Sequence, residues 1–160
     1  MSSPTPHNNE QIKVKIENFC TYQERCSQEV IKKLKALGLA QKKIDALLSH
    51  LSDKDLINEV RFAQSFSRGK FRIKKWGKQK ITQELRKRNI SKSSIEIGIK
   101  EIEKNYSLTC EKLADKIWDL NKSKPLIEKK KKIWNYLRYR GWERSLIFAK
   151  IEALEKNKPN

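Results

Sequence analysis

The chain has 160 residues, 37% of them apolar, and a formal charge of +18 from 37 basic and 19 acidic residues, so its hydrophobic core is expected to be thin or divided. Such a charge repels copies of the chain, making a monomer the expectation, and draws it toward a polyanion or an acidic protein surface. Cys20, Cys26 and Cys110 have no CxxC spacing and only His7 and His50 to assist them, which argues against a disulfide framework, a structural zinc or any other metal or cofactor.

Residues 1–11 combine Pro, Ser, Asn and His and read as a disordered arm, and residues 156–160 read as a flexible tail. The opening MSSPTPHNNEQ lacks the basic and apolar parts of a signal peptide, and no apolar run approaches the ~18 residues of a membrane span. A cytoplasmic protein with no membrane partner is expected. Between the termini the apolar residues recur at helical intervals, and Pro is absent from Gln11 to Lys124, so the body is expected to be all-α.

The first module, residues 12–53, opens with a leading helix from Ile12 to Arg25 whose Ile16 and Phe19 face inward. It continues with CSQEVIKKLKALGLAQKKIDALLSHL, residues 26–51, in which Val30, Leu34, Leu39, Ile44, Leu48 and Leu51 are the repeated apolar positions. The central module, residues 54–105, has a leading helix from Asp55 to Arg68 with Leu56, Phe62, Ala63 and Phe66 inward. There GKQKITQELRKRNISKSSIEIGIKEI, residues 77–102, aligns without gaps and places Ile81, Leu85, Ile90, Ile95, Ile99 and Ile102 at the same positions. The third module, residues 106–155, leads with Leu108 to Leu120, taking Leu113, Ile117 and Leu120 as inward. Its KKKKIWNYLRYRGWERSLIFAKIEAL, residues 129–154, puts Ile133, Leu137, Trp142, Ile147, Ile151 and Leu154 in register.

Spacings of four lie on one helical face, and the break falls at one place in each copy, so each segment reads as helix, turn, helix. Gly38 and Gly141 occupy the break and take the left-handed conformation cheaply, while Asn89 stands there in the middle copy as the next most tolerant residue. Ser91 is a candidate cap for the following helix, with Ser93 competing because Glu96 lies three residues on. Two helices leave an apolar stripe uncovered whereas three enclose a small core. The fold expected is an elongated tandem array of three three-helix modules containing helix-turn-helix-like pairs.

This organisation resembles the RecX regulatory family over roughly residues 14–155. In YQERCSQEVIKKLKALGL, the residues Tyr22, Arg25, Glu29, Leu34 and Gly38 match the family pattern, while Cys26 stands where Ser is typical and Val30 replaces Leu. In the run from Ile57 to Ile90, the matches are Asn58, Phe62, Ala63, Arg68, Gly77, Ile81, Glu84, Leu85 and Ile90, with Glu59 at the usual Asp position and Asn89 at the usual Gly. Arg140, Gly141 and Trp142 preserve the Arg-Gly-aromatic turn. The resemblance implies a cytoplasmic, non-enzymatic protein that binds the RecA filament, typically along its groove, and limits strand exchange, ATPase and co-protease activity. It also implies single- or double-stranded DNA as a further partner, as in some members.

From Arg68 to Lys92 eleven basic residues stand against Glu84, a formal charge of +10. A charge run is often only a solvated face, but this concentration favours contact with phosphate or an acidic protein surface. The candidates are Arg68, Arg72, Lys74, Lys75, Lys78, Lys80, Arg86, Lys87 and Arg88. Trp76 is either an exposed anchor or packs on Phe62 or Phe66. Lys130, Lys131, Arg138, Tyr139, Arg140 and Arg144 extend the theme in the third module, where Trp142 reads as core and Trp134 need not share that face. Neither Asp53 with Asp55 nor Glu101 with Glu103 makes a metal centre, and no GxxxxGK[ST] or GxGxxG loop cradles nucleotide phosphates. The leading expectation is a RecA-filament regulator, the alternative a helical protein binding DNA or RNA directly, and a membrane-surface protein comes last.

Overall fold

A computed structural model describes residues 8–157; His7 and the rest of the expected arm up to it, together with residues 158–160, lie outside the described residues. Nine α-helices occur among the described residues, in three groups of three. The first holds α1 (Asn9–Tyr22), α2 (Ser27–Ala36) and α3 (Gln41–Asp53). The central group holds α4 (Glu59–Gly69), prolonged by a π-helical turn at Lys70–Lys74, then α5 (Lys78–Lys87) and α6 (Lys92–Lys100). The third holds α7 (Tyr106–Leu120), α8 (Leu126–Tyr139) and α9 (Arg144–Asn157).

Local chemistry explains the boundaries. α1 begins three residues before Ile12, because the Asn8 side chain accepts from the Gln11 backbone N–H at 2.8 Å and the Gln11 side chain accepts from the Asn8 N–H at 3.0 Å, a reciprocal capping box. Residues 8–11 are therefore ordered rather than part of a disordered arm. α4 starts at Glu59 instead of Asp55, since Asp55 has φ 56° in the turn that ends α3 and Asn58 caps α4 by accepting from the Arg61 N–H. Ser91, and not Ser93, caps α6. Gly38, Asn89 and Gly141 have φ of 85°, 60° and 84°, so one left-handed turn recurs in each group. In the centre, α4 and α6 cross so closely that a Cβ on Gly98 would lie 2.7 Å from the Ala63 carbonyl oxygen.

Two hydrophobic cores result. One lies within the first group and contains Ile12, Ile16, Cys20, Val30, Leu34, Ile44 and Leu51. Leu39 is only half-buried at its edge, whereas its repeat equivalents Ile90 and Trp142, which follow the same turn, are buried. Leu56 packs on this first core and not on the central one, because it belongs to the turn after α3. The other core runs through the central and third groups, from Phe62, Ile81, Leu85, Ile90 and Ile95 to Ile133, Leu137, Trp142 and Ile147. On α7 the buried stripe is Tyr106, Cys110, Ala114 and Trp118. Those residues recur every four positions and turn Leu120 outward to 74% exposure, which corrects the expected inward stripe; Leu113 and Ile117 are flanking contacts.

The two junctions between groups differ in kind. At the second, the α8–α9 turn presses on the start of α5: the Arg140 carbonyl accepts from the Gly77 N–H at 2.8 Å and the Gly141 carbonyl from the Gln79 N–H at 3.1 Å. A Cβ on Gly77 would lie 2.5 Å from the Gly141 carbonyl oxygen, so only glycine permits this approach. At the first junction Cys26 occupies the position equivalent to Gly77, and Asn89 that equivalent to Gly141. There the links are made by side chains. Gln28 donates to the Lys87 carbonyl at 3.1 Å, Arg61 pairs with Glu24 at 2.6 Å, and Arg88 reaches Glu29 at 3.9 Å. A cavity of about 690 Å³ remains between the groups, lined in part by Cys26, Gln28, Ile57 and Ile90.

Replacing Gly77 by Ala should destabilise the fold by about 1–3 kcal/mol, the range for forced overpacking, because the atoms it meets are backbone. Gly69→Ala, with nothing within 4 Å of the new Cβ, should leave the melting temperature unchanged or slightly raised. Equal melting of the two variants would refute the close-contact explanation.

The first junction should also respond to salt. Burial pushes the Cys26 thiol pKa up, so labelling by a thiol reagent reports opening. Raising NaCl from about 0.1 to 1 M shortens the screening length from about 10 to 3 Å. Cys26 labelling should accelerate several-fold while Cys20 and Cys110, inside the two cores, stay slow. If all three thiols react in step at every salt concentration, the junction does not open separately.

Candidate partner-binding surface

Helix α5 starts without a side-chain cap, so the donors of its first turn need partners from elsewhere. Besides the Arg140 and Gly141 carbonyls, the Tyr106 hydroxyl accepts from the Lys78 N–H at 2.8 Å and donates to Glu143 Oε1 at 2.5 Å. The Tyr106 ring stacks on Trp142 with centroids 4.5 Å apart, and Phe71, in the π-helical turn, lies 6.1 Å from Tyr106. Trp142 Nε1 donates to the Lys75 carbonyl at 2.9 Å, and Lys75 is itself held at φ 59°. Burial, followed by the hydrogen bond to Glu143, pushes the Tyr106 phenol well above its usual range, so it stays protonated as a donor.

On this framework lies a groove of about 960 Å³, where Lys78, Lys80, Arg86 and Lys87 of α5 meet Arg138 and Tyr139 at the end of α8 and Gly141 in the turn after it. Lys80 Nζ sits 4.5 Å from the Tyr139 ring centre and 4.8 Å from that of Trp76, bridging the two. Tyr139 is 75% exposed. The two acids on the rim are engaged. Glu143 receives the Tyr106 hydroxyl, and Glu84 is bound by Arg88 at 3.1 Å and Lys87 at 3.3 Å. The Arg88 hydrogen bond is the main reason the Glu84 carboxyl titrates below its ordinary range.

The remaining expected site residues divide by environment. Arg88 is half-buried, with its guanidinium 4.8 Å from the Phe66 ring centre, and belongs to the first junction rather than to an open surface. Arg138 spends two hydrogen bonds on Gln79 Oε1 and the Trp142 carbonyl. Arg140 stacks on Tyr136 at 3.6 Å, and Arg68 pairs with Glu101 at 3.4 Å. Lys130 pairs with Glu155. Arg72, Lys74, Lys131 and Arg144 are exposed but do not line the groove. Trp76 is half-buried and packs edge-on against Phe66 with centroids 6.3 Å apart.

Sequence reasoning missed Tyr106, Trp118 and Glu143. Tyr106 and Trp118 were legible only as a stripe repeating every four residues with Cys110 and Ala114. The Tyr106–Glu143 contact spans 37 positions and carries no local signal. Sequence also underrated Glu59, which accepts hydrogen bonds from the Ser91 and Ser94 hydroxyls at 2.8 and 2.7 Å and so closes the N-terminus of α6. Burial opposes its charge, but those hydrogen bonds hold its pKa below the ordinary value.

Among the described residues, no group of three or more His, Cys, Asp or Glu side chains can hold a metal, and no helix is long and apolar enough to cross a membrane. Fold and surface together define an all-α protein of repeated three-helix groups carrying a basic groove where two groups meet. Residues 58–98 match the model of the second three-helix domain of RecX. The chain is 27% identical over 126 residues to the regulatory protein RecX of Finegoldia magna, covering 79% of this chain but 56% of that protein. It is 27% identical over 134 residues to that of Prosthecochloris aestuarii, covering 84% and 87%. The crystal structure of RecX from Lactobacillus salivarius superimposes with a TM-score of 0.80 at 25% identity, covering 92% of this chain and 96% of that one. The chain is thus similar to RecX proteins in sequence and in fold. It spans little more than half the length of the Finegoldia magna relative.

Tyr106→Phe removes the acceptor of the Lys78 N–H and the donor to Glu143 while keeping the stacked ring. Leaving these groups unpaired should cost about 1–3 kcal/mol, read as a lower urea midpoint at unchanged slope. An unshifted midpoint would show that the hydroxyl bridge contributes nothing to the junction.

Proposed function

We propose that the chain is a non-catalytic regulator that binds the RecA–DNA filament and mainly inhibits its recombinase, ATPase and co-protease activities. The observation that carries this reading is the basic groove across the second junction. Its charges come from two groups locked together by backbone hydrogen bonds, so they form a fixed band rather than independent mobile lysines. A rigid band matches a periodic acidic or phosphate-bearing surface at low entropic cost. The resemblance to RecX proteins supplies RecA as the partner. The protein acts as a cytoplasmic monomer, in keeping with its +18 charge.

Direct binding to nucleic acid is the second reading. It is favoured by Tyr139, exposed in the groove beside Lys80, where a base can stack.

Both readings meet one experiment, in which the chain is added to preformed RecA–single-stranded-DNA filaments while filament occupancy and strand exchange are followed, with a DNA-only control. Strand exchange should fall at stoichiometric protein. Retained occupancy would identify occlusion, and lost occupancy disassembly or capping. Lys80→Gln/Arg86→Gln/Lys87→Gln, which spares the hydrogen-bonded Arg88 and Arg138, should weaken filament binding at least about tenfold and flatten its salt dependence. No effect of the wild-type chain on filaments, with strongly salt-dependent binding to bare DNA, would replace the first reading by the second.

A further inference from the structure

The third group carries a second groove, of different chemistry. It lies between α8 and α9, has a volume of about 510 Å³, and is floored by Ile127, Trp134, Phe148 and Ile151. Trp134 and Phe148 have ring centroids 4.7 Å apart, and Ile127 and Phe148 remain 77% and 60% exposed. Exposed apolar side chains that cluster, rather than scatter, mark interaction sites.

The repeat itself shows that this clustering is not needed for the fold. The central group has the same groove, about 430 Å³, between α5 and α6. Its lining positions Lys78, Thr82, Glu96, Ile99 and Glu103 are the repeat equivalents of Lys130, Trp134, Phe148, Ile151 and Glu155. The central groove thus folds with Thr82 and Glu96 at the two places where the third group has its aromatic pair. Thr82 and Glu96 have been exchanged for Trp134, half-buried at the edge of the core, and for Phe148, which stays exposed and is not part of that core.

We propose that the α8–α9 groove is a docking site for an apolar side chain borne by an acidic segment of a protein partner. This rests on the reading of the chain as a filament regulator and specifies a contact made with the protein component. The apolar floor selects the side chain. The rim selects the charge. Lys130 is matched by Glu155, and Glu152 by Lys156 at 3.2 Å, which leaves the exposed Lys131, next to Lys132, as the unmatched rim charge. A net charge of +18 disfavours a second copy as occupant. A nucleobase fits poorly, because Phe148 already lies against Trp134 and the rest of the floor is aliphatic.

Phe148→Glu, which installs the residue of the equivalent central position, combined with Ile127→Gln tests this on surface residues whose loss should leave the circular dichroism and melting temperature intact. Binding of wild type and variants to RecA–single-stranded-DNA filaments and to bare single-stranded DNA is measured by anisotropy. The double variant should bind filaments at least about tenfold more weakly and bare DNA unchanged, and Lys131→Glu should weaken filament binding alone. Undiminished filament binding by the double variant overturns the docking site while the regulator reading stands. Equal loss on bare DNA makes the occupant a nucleic acid, and wild-type self-association abolished by Phe148→Glu makes it a second copy; either overturns the proposal. Wild-type protein that ignores filaments overturns the parent reading and this one with it.

Discussion

The first turn of α5 exposes backbone donors that no side chain of its own caps, and the neighbouring group supplies the acceptors. Three successive N–H groups, those of Gly77, Lys78 and Gln79, find the Arg140 carbonyl, the Tyr106 hydroxyl and the Gly141 carbonyl. An unpaired buried donor costs more than a made hydrogen bond gains, so neither group is complete without the other. Several other features follow from that requirement. Gly77 and Gly141 must lack side chains to let backbone meet backbone, Trp142 is buried beneath the turn, and the π-helical turn brings Phe71 toward Tyr106 and Trp142. One continuous core beneath the contact is the packing counterpart of these bonds.

The first junction shows what happens when one of those conditions is relaxed. Cys26 carries a side chain at the position where Gly77 lets the turn at Gly141 touch α5 directly. Longer side chains span the gap, and the cores stay separate except where Cys26 itself enters the central one. Ion pairs between partly exposed groups are weak and screened by salt, unlike backbone hydrogen bonds within a packed interface. Two repeat positions differ together, Cys26 against Gly77 and Asn89 against Gly141, and with them side-chain links replace the backbone hydrogen bonds that join the central and third groups.

The periodicity of the apolar residues made the helix-turn-helix pairs legible, because burial on one face is a local property that repeats with the helix. The left-handed turns were legible for a similar reason, through Gly38, Asn89 and Gly141. The leading helices were read less well. Leu120 is apolar but lies at the exposed end of α7, whereas Tyr106 and Trp118 carry the buried stripe, and hydrophobicity alone ranks Leu above Tyr. In the basic run, charge located the groove but not which charges belong to it. Arg88 and Arg138 are equally basic in sequence, yet both are held by hydrogen bonds whose partners, Glu84 and Gln79 among them, are defined only once the helices are placed.

That division of labour explains how one scaffold presents two chemistries. Arginines do much of the internal fastening: Arg61, Arg88 and Arg138 tie acids, amides and carbonyls across or beside the junctions, using a planar fork that satisfies several acceptors together. Lysines with cation–π partners, such as Lys80 between Trp76 and Tyr139, keep their charge at the surface with restricted motion. Because the repeat fixes where the groove between its last two helices falls, substitution at its lining positions changes surface character without disturbing the core residues Ile81 and Leu85 or Ile133 and Leu137 beneath. The conserved quantity from group to group is the backbone turn and its apolar anchors. Recognition is written in the side chains that the anchors leave outside.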